Sequence, residues 1–157
     1  MILLSFLGND VMGDEGIGYH LYMALKDKLP EWTRPVFLHT DVLRLPSIYN
    51  GEDTLVFVDA VVGENFPCGK TFRMSVNEAH NLDASMKHAH MIGLIDSIRL
   101  MEKTFPSFKD TRKILYLVGI DPDHIQPGVS LSPCLKEHFD SIKKDLLMFL
   151  HYIHVEC

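Results

Sequence analysis

Four short, nearly unbroken apolar runs constrain this chain most: "ILLSFL" at 2–7, "PVFLHT" at 35–40, "TLVFVDAVV" at 54–62 and "ILYLVGI" at 114–120. Each is bounded by Gly, Asp or Pro, and none alternates with polar residues. A strand of this kind must be covered on both faces, as happens in a parallel sheet flanked by helices. Between the runs, Ile17, Leu21, Ala24, Leu25 and Leu29 recur at helical spacing. So do Met91, Leu94, Ile95, Ile98 and Met101, and later Leu135, Phe139, Ile142, Leu146 and Phe149. These stripes predict three amphipathic helices packed on the sheet. "DVLRLPSIYN" is interrupted by Pro46 and reads as a short helix at most. "GKTFRMSV" at 69–76 alternates and reads as an edge strand or hairpin arm. The expectation is a single α/β domain over 1–157: a three-layer α/β/α arrangement with a mostly parallel central sheet of about five strands. The strands containing 2–7, 36–40, 55–58 and 114–119 should be central or near-central, with helices on both faces.

Composition narrows the function classes. The 157 residues, 46% hydrophobic, suit one core of moderate size. A formal charge of −6 with no basic run argues against nucleic acid or an anionic membrane as partner. No stretch approaches the roughly 18 apolar residues of a membrane span, and "MILLSFLGND" lacks the basic start of a secretion signal. Cys68, Cys134 and Cys157 are odd in number and form no CxxC pair, which reads as a reduced, cytoplasmic chain, with Cys68 a bystander in the turn at 66–68.

In an open α/β sheet, ligands sit beyond the carboxyl ends of the strands. Sequence logic brings three positions there: Glu15 in the loop after the first strand, Asp59 at the end of "LVFVD", and His90 or His88 at the start of the third long helix. Two carboxylates and an imidazole suit a divalent transition metal with open coordination positions, and the same trio could exchange protons. Each also has a plainer reading. Asp59 could cap the loop after its strand, and Glu15 could be a first-turn carboxylate favoured by the helix dipole.

The loop "SFLGNDVMGDEGIG" at 5–18 sharpens the choice. Its glycines resemble a phosphate cradle, but the GxGxxG spacing fails and Asp10, Asp14 and Glu15 would repel phosphate. Gly8 and Gly13 permit unusual turn dihedrals, and Gly16 and Gly18 allow the next helix to pack closely. Asp14 reads as a structural carboxylate holding the loop through backbone N–H groups. His151 and His154 read as a solvated helix end rather than a metal pair, and Met86, Met91 and Met101 as core or groove residues. No serine or cysteine stands in a nucleophile setting: Ser5 lies within a strand, and Ser85 lacks a GxSxG turn.

"LGNDVMGDEGIG" resembles the pattern of the hydrogenase maturation endopeptidases, approximately Gly-Asn-x-Leu-x-x-Asp-(Asp or Glu)-Gly-x-Gly, with Val11 where leucine is common. "VFVDAV" around Asp59, "HMIGLIDSI" from His90 and "VGIDPDHIQPGVSLSPCLKE" from Val118 follow in the family's order. The resemblance implies an endopeptidase that removes a C-terminal peptide from the precursor of a nickel-containing hydrogenase large subunit after nickel insertion. It implies Glu15, Asp59 and His90 as both the catalytic and the metal-contacting set, and it favours His90 over His88. Nickel would be carried by the substrate and held only weakly by the free protein. Two alternatives remain at this point: a metal-dependent hydrolase of another small substrate, and a non-catalytic module that binds a nickel-loaded partner.

Overall fold

Alternate residues of each apolar run serve different cores. The computed structural model describes residues 1–82 and 89–156, and the backbone alone at 89 and 90. Leu4, Phe6, Val56, Val58, Tyr116 and Val118 point into one hydrophobic cluster. Leu3, Leu7, Leu55, Phe57, Leu115 and Leu117 point into a second cluster on the opposite face. Fully burying a Leu or Phe side chain stabilises by about 1.5–3 kcal/mol, so the sheet interior supplies much of what holds the chain together.

The strands are β1 (Ile2–Phe6), β2 (Thr33–Phe37), β3 (Thr54–Val61), β4 (Thr71–Ser75) and β5 (Arg112–Gly119). They form one five-stranded sheet in the order β2-β1-β3-β5-β4. β1, β2, β3 and β5 are parallel, and β4 pairs antiparallel with β5. The helices are α1 (Ile17–Leu25), α2 (Leu45–Ile48), α3 (Val76–His80), α4 (Ala89–Thr104) and α5 (Pro133–Glu156). Residues of α1 and α5 build the first cluster, and residues of α2, α3 and α4 the second. The three-layer α/β/α expectation is met, and "GKTFRMSV" supplies the expected edge strand.

Two expectations are corrected. The strand placed at 36–40 as central or near-central runs instead over Thr33–Phe37 and lies at the edge of the sheet, bonded only to β1. Pro35, which offers no N–H to a ladder, is tolerated because its far side has no neighbouring strand. The run ends early because His39 takes a left-handed backbone, φ 55°, and turns the chain. The second correction concerns the cysteines. The turn after β3 folds over the first turn of α5, bringing the Cα atoms of Cys68 and Cys134 to 6.5 Å, and the two form a disulfide. Neither the reduced reading nor the bystander role of Cys68 holds, because the fold joins residues 66 positions apart that no local spacing relates. Among the described residues no helix is long and apolar enough to cross a membrane.

Candidate active site

The loop after β1 is shaped by close approaches that only glycine permits. Gly8 has φ 148° and Gly13 φ 56°. A Cβ on Gly8 would strike the Glu15 carbonyl, and one on Gly18 would strike the Leu7 carbonyl, so α1 lies hard against the end of β1. The Leu7 N–H continues the ladder to the Val58 carbonyl at 2.8 Å, and the Asn9 N–H closes the loop on the Glu15 carbonyl at 3.2 Å. Residues Gly13–Gly16 form a 3-10 turn leading into α1. Glu15 is half-buried on this turn, which packs against β3.

Asp14, fully buried beside it, has the structural role expected from sequence. Its carboxylate accepts from the Ser132 N–H at 2.6 Å, the Ser132 hydroxyl at 2.7 Å and the Asp121 N–H at 3.0 Å. Ser132 in turn accepts from the Leu135 N–H at 3.3 Å, the bond of an N-cap serine, with Pro133 at the first helical position of α5. A second strap runs beside the first: the Gly13 N–H donates to the Gly128 carbonyl and the Gly128 N–H to the Val11 carbonyl, at 2.9 and 2.8 Å. One carboxylate therefore fixes the first loop, the 121–132 loop and the start of α5 together, and holds Glu15 on the next residue.

Asp59 is the sixth residue of β3, in register with Leu117 of β5. It shares the face of Leu55, Phe57 and Val61, the face covered by α4. The residue is 2% exposed, and its Oδ1 accepts from the Ala60 N–H at 2.8 Å. A cavity of about 330 Å³ opens directly on it, lined also by Leu7, Thr40, Val42, Gly93, Leu94 and Ser97. The α4 residues in this lining, 93, 94 and 97, follow position 90 by three, four and seven residues. His90 therefore occupies the next place on the stripe of α4 that passes Asp59. Its side chain lies outside the described residues, as do His88, Ser85 and Met86 altogether. Among the described residues no three His, Cys, Asp or Glu side chains form a metal-holding group.

Other sequence candidates fall where packing puts them. Ser5 is buried in β1. Met91 and Met101 are core residues at 2% and 3% exposure. His154 stacks on Trp32 with ring centroids 3.9 Å apart, and His151 meets the same ring edge-on while its Nδ1 bonds the Leu147 carbonyl. The two exposed imidazoles are thus anchored on an aromatic ring rather than poised as a metal pair. Sequence reasoning overlooked Thr40, Gly93 and Ser97, although the 90/93/94/97 stripe was present in "HMIGLIDS".

No family model matches the chain. Protein FrxA of Pyrococcus furiosus is 30% identical to it over 128 residues, 80% of this chain and 87% of that protein. Hydrogenase 2 maturation protease of Escherichia coli is 26% identical over 159 residues, 99% of this chain and 93% of that protein. Among solved structures, the NiFe hydrogenase maturation protease HybD from Thermococcus kodakarensis superposes with a TM-score of 0.78 at 26% identity, covering 92% of this chain and 95% of that one. The hydrogenase maturating endopeptidase HybD from Escherichia coli superposes with a TM-score of 0.75 at 25% identity, covering 96% and 92%.

Proposed function

Since the chain belongs to the hydrogenase maturation protease family and is a peptidase, we propose that it removes a C-terminal peptide from the precursor of a nickel-containing hydrogenase large subunit. In this reading Glu15, Asp59 and His90 recognise nickel already seated in the substrate. The observation that carries it is Asp59: a carboxylate buried at the carboxyl end of a central strand, opening on a cavity along which the His90 stripe of α4 runs. A carboxylate at the mouth of a cavity is suited to meet a cation delivered by the substrate.

Two carboxylates and one imidazole would leave coordination positions for ligands from the substrate side, and a bound cation polarises a carbonyl or lowers the pKa of a water. The Asp14–Ser132 clamp supports the reading from the protein side, because it presents Glu15 on a turn that is already ordered before substrate arrives.

The test is cleavage of purified large-subunit precursor, with and without nickel, followed by mass spectrometry of the released peptide. Glu15→Gln, Asp59→Asn and His90→Ala should each lower the rate at least about 100-fold, since even second-shell partners of metal ligands are worth about 10–100-fold. Their melting temperatures should stay near that of the parent protein. Equal cleavage of nickel-free precursor, or full activity in Glu15→Gln and Asp59→Asn, would overturn the reading.

A further inference from the structure

The cavity beside Asp59 contains a glycine that no described neighbour requires. Gly93 lies within the 16-residue α4, where glycine weakens a helix relative to alanine. Its φ is not positive, and a Cβ built on it would meet nothing within 4 Å. This contrasts with Gly8, Gly13 and Gly18, where a Cβ would collide with a backbone carbonyl. No packing among the described residues therefore accounts for a missing side chain at Gly93. The open space belongs to the groove that ends at Asp59.

The rest of the lining indicates what fits there. Leu7, Val42 and Leu94 supply apolar walls, and Thr40 and Ser97 supply a hydroxyl each. Neither hydroxyl is hydrogen-bonded within the protein among the described residues, although Ser97 is half-buried. The volume, about 330 Å³, stands at the low end of the range for pockets that enclose a small ligand or a short peptide segment. Apolar walls, two free hydroxyls and exposed helix backbone suit an extended chain: a side chain against the walls, and amide groups within reach of Thr40 and Ser97.

We infer that this groove receives the substrate polypeptide next to the scissile bond, with an apolar side chain seated over Gly93 between Leu7, Val42 and Leu94. The inference rests on Asp59 belonging to the site proposed above, and it makes Gly93 a residue that sets substrate specificity. A larger side chain at position 93 would fill the seat without striking any described residue.

Gly93→Ala and Gly93→Leu would be compared with the parent protein for two properties, binding to nickel-loaded precursor by biolayer interferometry and cleavage of it, with thermal melts as a fold control. Both variants should melt at or above the parent temperature. Gly93→Leu should weaken binding and lower kcat/KM at least tenfold, and Gly93→Ala less than threefold. A precursor whose residues flanking the cleaved bond are trimmed to alanine should recover most of the loss with Gly93→Leu, which a merely structural defect would not allow. If the parent cleaves and Gly93→Leu binds and cleaves equally well, the groove assignment is wrong and the peptidase reading stands. If the parent binds precursor without cleaving it, the peptidase reading fails, and weakened binding by Gly93→Leu still supports the groove. If the parent neither binds nor cleaves, both are overturned.

Discussion

The two ends of the sheet handle charge in opposite ways. At the amino ends of the parallel strands, buried or half-buried charges meet opposite charges. Arg34 donates to Glu52 at 2.7 Å, and Glu102 takes both Arg99 at 2.7 Å and Lys113 at 2.8 Å. At the carboxyl ends, Asp14 is held by two backbone N–H groups and one hydroxyl, and Asp59 accepts from the Ala60 N–H. The first end pairs its charges, whereas the second gathers acidic residues at the mouth of a crevice, an arrangement suited to the cation-receiving role proposed above. In that proposed role, the acidic residues of a glycine-rich loop of phosphate-binding appearance would face a cation rather than repel a phosphate.

The comparison breaks if disturbing the dipole-held end leaves activity intact. Asp14→Ala has the largest expected effect, because it orphans the buried N–H and hydroxyl of Ser132 and the half-buried Asp121 N–H. The loss should be about 3–4 kcal/mol, a fall in Tm of roughly 10 °C for a chain of this length, together with at least tenfold slower precursor cleavage as Glu15 loses its support. Urea unfolding and the cleavage assay would measure the two. A variant that unfolds like the parent would show that the clamp does not hold the loop.

The opposite end should show stability loss without loss of activity. Lys113, with its side chain 5% exposed, is the buried partner of Glu102. Lys113→Met should cost about 2 kcal/mol, less than breaking a fully isolated buried pair because Arg99 remains on Glu102. Its kcat/KM for precursor should stay within about twofold of the parent value. Slower cleavage at unchanged stability would show that the two ends are coupled rather than separate in role.

Much of this architecture was legible in the residues. β1, β3 and β5 declare themselves because strands buried on both faces have no polar alternation to blur them, and Asp14 declared itself by its place in a glycine-bounded turn. β2 was displaced because Pro35 looked like the start of a strand, whereas a proline inside a run signals an edge strand. α3 went unseen although "SVNE" spells a capping box: the Ser75 hydroxyl accepts from the Glu78 N–H, and the Glu78 carboxylate from the Ser75 N–H. The alternation of "GKTFRMSV" hid it by carrying the strand reading one residue into the helix. The Cys68–Cys134 bridge and the groove over Gly93 were beyond local pattern, since each depends on elements that only the completed sheet brings side by side.

The smallest expected effect, and the finest test of the comparison, is the acid dependence of stability. Burial alone would raise the Glu52 carboxyl, but the Asn50 N–H and the Arg34 guanidinium outweigh it and hold Glu52 below its usual range. Burial likewise pushes the Glu102 carboxyl up, but Lys113 and Arg99 outweigh it and hold Glu102 below its usual range. A carboxyl whose pKa is lower in the folded than in the unfolded chain contributes stability that is fully present above its unfolded value, about 4.3 for Glu, and is lost as pH falls through the folded value. The urea midpoint should therefore hold steady from pH 7 to 5 and decline below about 4.3. Glu52→Gln should begin lower at pH 7 and decline less steeply, so that the two curves converge in acid while precursor cleavage near neutral pH is unchanged. Curves that stay parallel to pH 3 would mean that the ionisation of Glu52 adds nothing to the folded state, and would leave Lys113 and Glu102 as the main stabilising charges at the amino end.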